Sequence, residues 1–205
     1  MTADLDMTAL LESASPRPDA ARMSRLEARL VARADAAGLL DVAYRTVDTL
    51  VGTLLLAATP AGLARVAYAG EGFDSVLARL ADRISPRILE APRRLDRAAR
   101  QIEEYLAGRR RRFDLDLDLT LAGGFRRQVL TYLPGISYGR TASYGEVAAA
   151  VEHPRAVRAV GTACATNPLP LVIPCHRVIR SDGMIGAYLG GSSLKRQLLQ
   201  MEATA

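Results

Sequence analysis

Cysteine and histidine are both scarce in this chain of 205 residues, limited to Cys164, Cys175, His153 and His176. The two cysteines form no CxxC pair, so a four-ligand structural zinc site is not expected, and neither a metal nor any other cofactor is implied. Two unpaired thiols suit a reducing, cytoplasmic compartment. No apolar run approaches the roughly 18 residues of a membrane-spanning helix. Asp4 and Asp6 precede no basic-then-apolar segment of the kind that directs export, so a soluble chain without a membrane partner is expected. Lys195 is the sole lysine and Asn167 the sole asparagine. Every other cation is arginine, whose planar fork favours bidentate contact with phosphate or bases.

The length fits one large domain or two small ones with a core of their own. The net charge is +5, and it is uneven: residues 1–120 hold 18 basic and 18 acidic side chains, residues 121–205 hold 9 and 4. A nucleic-acid partner and a merely basic surface both remain open on charge alone. Residues 1–18 are polar, carry Pro16 and Pro18, and read as a loosely held leader. Residues 19–40 have helical spacing at Met23, Leu26, Leu30 and Val31. Val42–Thr59 and Leu63–Ala69, separated by Pro60-Ala61-Gly62, predict a hairpin. Helices follow at 73–84 and 94–107, the second ending before Gly108 and the run Arg109–Arg112, which reads best as a solvated face. Phe113–Leu121 alternates Asp and Leu, as a strand or a linker would. This organisation predicts a leader and extra helix over 1–40, a sheet-and-helix domain over 41–118 and a mainly helical domain over 119–205.

Phe125–Leu133 predicts a helix stopped by Pro134-Gly135. A compact helix pair comes next. Ser143 and Glu146 have capping-box spacing, and Pro154 suits the first position of a second helix with Val157, Val160 and Cys164 facing inward. Its other face presents Arg155, Arg158 and Thr162 beside the small residues Ala156, Ala159 and Gly161, a helix-turn-helix pattern that would fit a nucleic-acid backbone or a protein neighbour equally well. Asn167 precedes Pro168, where its amide can tie the helix end to the next turn. Residues 171–178, Leu-Val-Ile-Pro-Cys-His-Arg-Val, put a thiol beside an imidazole in a strand-forming run. A cation or base near a cysteine lowers its pKa from about 8.5 towards neutrality, and His176 or Arg177 could act so. The plainer alternative is a buried strand cysteine. Gly186–Gly191 reads as a flexible loop able to close over a flat ligand with Tyr188. In the last helix, starting near Ser192 or Ser193, Glu202 shares a stripe with Leu194, Leu198 and Met201. A carboxylate there needs a partner, His176 being a candidate, unless the end frays into water.

Taken together, Pro174-Cys-His-Arg-Val178, Ser143-Tyr144, Arg155-Ala-Val-Arg-Ala-Val-Gly161 and Asn167-Pro168 resemble the O-6-alkylguanine-DNA alkyltransferases in residue type, order and spacing. The likeness is strong over residues 120–204 and looser over 42–110. It implies an α/β (α+β) fold with a small ribonuclease-H-like N-terminal domain and a helical C-terminal domain. It also implies direct, single-turnover repair: Cys175 takes the alkyl group from O6 of a flipped guanine in double-stranded DNA and keeps it. By the same resemblance His176 is a base acting through a water, a route that suits neighbours on opposite faces of a strand, and Glu202 orients it. Tyr144 protonates the leaving base and crowds its 3′ phosphate, while Arg158 fills the gap in the duplex. Arg155, Ala156, Ala159 and Thr162 line the minor groove. The carbonyls of Cys175 and Val178 and the Tyr188 loop form the base pocket, with Asn167 a structural hinge. A monomer is implied, with cooperative binding along DNA left open.

The chain departs from the family in two places. The glycine-rich loop is matched only approximately by Ala187-Tyr-Leu-Gly190, which leaves the preferred alkyl size open, and the zinc ligands of some relatives' N-terminal domains are missing. Two rivals are a non-catalytic lesion sensor, though the related alkyltransferase-like proteins carry Trp at the position of Cys175, and a cysteine hydrolase, which needs an oxyanion hole and direct contact of His with sulfur.

Overall fold

The computed structural model describes residues 19–204, so the leader expected at 1–18 lies outside the described residues. The chain divides into two compact units, one ending at Leu39 and the other starting at Leu40. The first contains α1 (Ala20–Ala36), capped by Asp19, which accepts from the Ala21 N–H at 3.1 Å. It ends four residues earlier than its periodicity suggests, and Met23, Leu26 and Leu30 are exposed on it.

The second unit opens with a meander of β1 (Val42–Thr49), β2 (Gly52–Thr59) and β3 (Gly62–Tyr68). The hairpin expected at Pro60–Gly62 forms, but Val42–Thr59 is two strands and not one. A second tight turn at Leu50–Val51 breaks it, closed by Thr49 Oγ1 donating to the Gly52 carbonyl at 2.6 Å. Only Gly52, with φ of +95°, marked that turn in the sequence. An unforeseen short strand, β4 (Ile88–Glu90), pairs parallel with β1 and gives the sheet order β3-β2-β1-β4. Leu54, Leu55, Leu56 and Ala57 are all fully buried, because the sheet is covered on both faces. Leu55 and Ala57 meet Val76 and Leu80 of α2 (Phe73–Arg83). Leu54 and Leu56 join Leu95, Ile102 and Tyr105 on the side of α3 (Asp96–Leu106). These two helices lie within about two residues of the expected spans.

Phe113–Leu121 is a linker that meets the sheet at a bridge between Leu117 and Leu63 and at Thr59 Oγ1, which donates to Asp118 at 2.6 Å. Beyond it come α4 (Gly124–Tyr132), α5 (Tyr144–Ala150), α6 (Val157–Ala165) and α7 (Gly191–Ala203). One apolar core runs from Val47 through Tyr105 and Val160 to Leu198, so segments on both sides of residue 118 share it. The capping box is present: Ser143 Oγ accepts from the Glu146 N–H at 3.1 Å, and Glu146 accepts from the Ser143 N–H at 2.6 Å. Two expectations fail at α6. It starts at Val157, three residues past Pro154, because Glu152 turns the chain with φ of +62° and the turn continues to Ala156. Val157 is 39% exposed, and the inward face is Val160, Ala163 and Cys164.

The segment before Cys175 is not a strand. Pro168, Pro170 and Pro174 remove backbone donors, Leu171 adopts φ of +72°, and residues 171–177 form buried turns ending in a 3₁₀ turn, Cys175–Arg177. Only then does a strand begin. β6 (Val178–Ile179) pairs parallel with β5 (Ala142–Ser143), placing the start of α5 beside the cysteine turn.

Candidate active site

Asn167 organises the turn that presents the thiol. Fully buried, it accepts from the Leu169 N–H at 2.9 Å and donates to the Ile173 carbonyl at 2.9 Å and to Cys175 Sγ at 3.2 Å. Its local tying role was expected, but its donation to sulfur was not. Cys175 is 1% exposed, and burial pushes its thiol up to about 11, opposed by the Asn167 hydrogen bond and the positive charge of Lys195. At neutral pH it is therefore a protonated thiol that needs a base.

The next residue in the chain is His176. Burial lowers the pKa of His176 despite Glu202, which keeps the ring neutral at pH 7. His176 Nε2 lies 3.0 Å from Glu202 Oε1, and His176 Nδ1 has no hydrogen-bond partner among the described residues. Donation from Nε2–H to the carboxylate leaves the Nδ1 lone pair available. Because both residues lie on a 3₁₀ turn, the expected opposition of Cys175 and His176 across a strand does not apply.

Glu202 does not fray into water; it is 3% exposed. Arg177 grips it with Nε at 2.9 Å from Oε2 and a terminal nitrogen at 2.9 Å from Oε1. The Tyr105 hydroxyl donates to Oε1 at 2.5 Å and the Gly139 N–H to Oε2 at 3.1 Å. Burial alone would raise this carboxyl, but hydrogen bonds from His176, Arg177 and Tyr105 hold it at about 2. Arg177, a candidate for activating the thiol, instead neutralises Glu202 and donates to the Ile136 carbonyl at 2.6 Å.

Lys195 provides the cation near the sulfur. It is fully buried, its Nζ donates to the Val178 carbonyl at 2.6 Å, and it lies 5.9 Å from the centre of the Tyr144 ring. The Val178 carbonyl expected in the base pocket thus already accepts one hydrogen bond. Tyr144, half-buried at the start of α5, keeps its proton because burial and the Cys164 and Cys175 sulfurs raise its pKa. The backbone at Gly186 passes directly over it: a Cβ there would lie 2.4 Å from the Tyr144 hydroxyl oxygen. Tyr188 does not stand open to solvent. It is buried, with its hydroxyl 2.8 Å from that of Tyr68 and its ring edge-on to His176 at 6.2 Å.

The fold thus gathers Cys175, His176, Glu202, Asn167, Val178, Tyr188 and Tyr144. It leaves Arg155, Arg158, Ala159 and Thr162 exposed on and beside α6, with Ala156 half-buried at its cap. Sequence alone does not assign Tyr105 or Lys195 to the site. Lys195 carried a usable signal, since it lies three residues before Leu198 and seven before Glu202 on the inward stripe. Tyr105 carried none, because its partner is 97 residues away.

A thiol, a neutral imidazole and a clamped carboxylate occur in several enzyme classes, but the comparisons with known proteins select one. Residues 124–204 match the family model described as 6-O-methylguanine DNA methyltransferase, DNA binding domain. A methylated-DNA–protein-cysteine methyltransferase of Mycolicibacterium paratuberculosis is 37% identical over 161 residues, covering 78% of this chain and 92% of the relative. The bifunctional transcriptional activator/DNA repair enzyme Ada of Escherichia coli is 37% identical over 80% of this chain but only 46% of its own length. The crystal structure of Mycobacterium tuberculosis OGT in complex with DNA superposes with a TM-score of 0.69 at 35% identity, over 79% of this chain and 93% of that one. With its cysteine centre and this extent of likeness, the chain belongs to the methylated-DNA–protein-cysteine methyltransferase family.

Proposed function

We propose that this protein repairs alkylated DNA by moving the alkyl group from O6 of guanine to Cys175 Sγ, once per molecule. The carbon–oxygen bond breaks as the sulfur–carbon bond forms. The thiol proton passes to His176 Nδ1, directly or through a water, and the guanine leaves with a proton supplied by Tyr144. The observation that carries this reading is the buried thiol held by Asn167 beside a neutral histidine whose far nitrogen is committed to Glu202. Glu202 stabilises the imidazolium that forms, as an oriented carboxylate does for any histidine base. Asn167 and Lys195 stabilise the developing thiolate. A reducing, cytoplasmic setting suits two free thiols, and among the described residues no helix is long and apolar enough to cross a membrane.

A base inside the duplex cannot reach a thiol that is 1% exposed, so the target nucleotide must be extruded. Arg158 is exposed on α6 next to Ala159, with Thr162 one turn further on, and in this reading it occupies the vacated space. Arg158→Ala is expected to slow repair of duplex DNA by roughly ten- to a thousand-fold, at 1.4 kcal/mol per factor of ten. It should leave reaction with free O-6-benzylguanine almost unchanged. Comparing the two substrates in single-turnover assays tests the reading. Equal losses on both would place Arg158 in the fold or the pocket, and no loss on either would remove α6 from base extrusion.

A further inference from the structure

A cleft of about 380 Å³ lies between α2 of the sheet region and the C-terminal end of α6. Arg65, Arg79, Arg83 and Arg126 line it, against one carboxylate, Glu71. Glu71 is already committed: it pairs with the Arg65 guanidinium and accepts from the Tyr68 N–H at 3.0 Å. Arg65, nearly buried at the base of the cleft, also donates to the Pro168 carbonyl at 3.1 Å. Arg126 donates to the Leu121 carbonyl and reaches Thr166 Oγ1 at 3.4 Å. Arg79 and Arg83 are exposed, one turn apart on α2, and have no hydrogen-bond or ion-pair partner among the described residues. Like charges at this spacing repel. A cleft holding this excess of guanidinium groups is built for an anion with several oxygens, and phosphate fits it best.

We propose that the cleft binds a backbone phosphate of DNA, so that α2 grips the duplex beyond the helix that reads the lesion. This rests on the function proposed above. DNA is favoured over a free anion because Ala165 and Thr166, at the end of α6, form one wall of the cleft, which makes it continuous with the surface carrying Arg158. Eight residues of helix separate Arg158 from Thr166, about 12 Å at 1.5 Å per residue.

The test is the salt dependence of binding to an unmodified 20-base-pair duplex, for the parent and for the double variant Arg79→Ala/Arg83→Ala. Each phosphate neutralised contributes about 0.9 to the slope of log affinity against log salt. The double variant is expected to lose about one unit of slope, and Arg79→Lys/Arg83→Lys to keep the parental value. Unchanged melting temperatures show that both variants fold. A parental slope in the alanine variant overturns the proposal. So does a parental slope combined with loss of thermal stabilisation by inorganic phosphate, which assigns the cleft to a free anion. The duplex carries no lesion, so the slope is independent of alkyl transfer. Failure of the parent to accept an alkyl group from free O-6-benzylguanine would strike the proposed function and not the cleft.

Discussion

Glu202→Gln is expected to slow alkyl transfer by about 10² to 10⁴, the usual cost of a base that has lost its orienting and polarising carboxylate. It should also destabilise the protein. Arg177 is buried and two of its three guanidinium nitrogens donate to Glu202, so a neutral amide leaves that guanidinium uncompensated. Breaking a buried ion pair from one side costs about 3–5 kcal/mol. The pH dependence distinguishes the two effects. In the parent, the Glu202 carboxyl is held at about 2, below its ordinary 4.5, so its contribution to stability is present above about pH 4.5 and lost as pH falls towards 2. The glutamine variant should lack that portion of the acid loss. Denaturant unfolding across pH 2 to 7, with single-turnover rates near neutrality, provides both readouts. Parental rate and stability together would remove Glu202 from the proton path.

Asn167→Ala should have the second-largest effect, because one side chain satisfies three neighbours. The Ile173 carbonyl and the Leu169 N–H lose their Asn167 hydrogen bonds in a fully buried site. At about 1–3 kcal/mol for each stranded group, the loss is about 2–6 kcal/mol. Cys175 also loses the Asn167 amide as a donor, so its thiol, already raised to about 11, rises further and transfer slows. Thiolate absorbance against pH and the unfolding midpoint measure the two effects. A variant with parental values of both would show that the cysteine turn holds itself.

Local rules made several of these features legible from sequence. The Ser143–Glu146 capping box is a four-residue signal, and it formed as the spacing requires. Glu202 was recognisable because its neighbours at −4 and −8, Leu198 and Leu194, define the inward stripe of α7. The failures have equally physical causes. An apolar run such as Leu171–Ile173 looks alike whether it is a buried strand or a buried turn, and the flanking prolines at 168, 170 and 174 were the only cue to the turn. Lys195 lies on the same stripe as Glu202, but its charge argues for solvent unless a carbonyl such as that of Val178 is known to face it. Tyr105 looks like any core aromatic residue, and only the folded chain brings its hydroxyl to Glu202 and His176.

Cys175, and no other group, is expected to take up one alkyl group and keep it. Intact-mass and peptide mass measurement after incubation with duplex DNA containing O-6-methylguanine tests this directly. The account predicts one added methyl group, about 14 Da, on Cys175, as stoichiometric covalent capture requires. Cys175→Ser should show no gain and Cys164→Ser a parental one. Methyl on Cys164, or more repaired DNA than protein molecules, would contradict it.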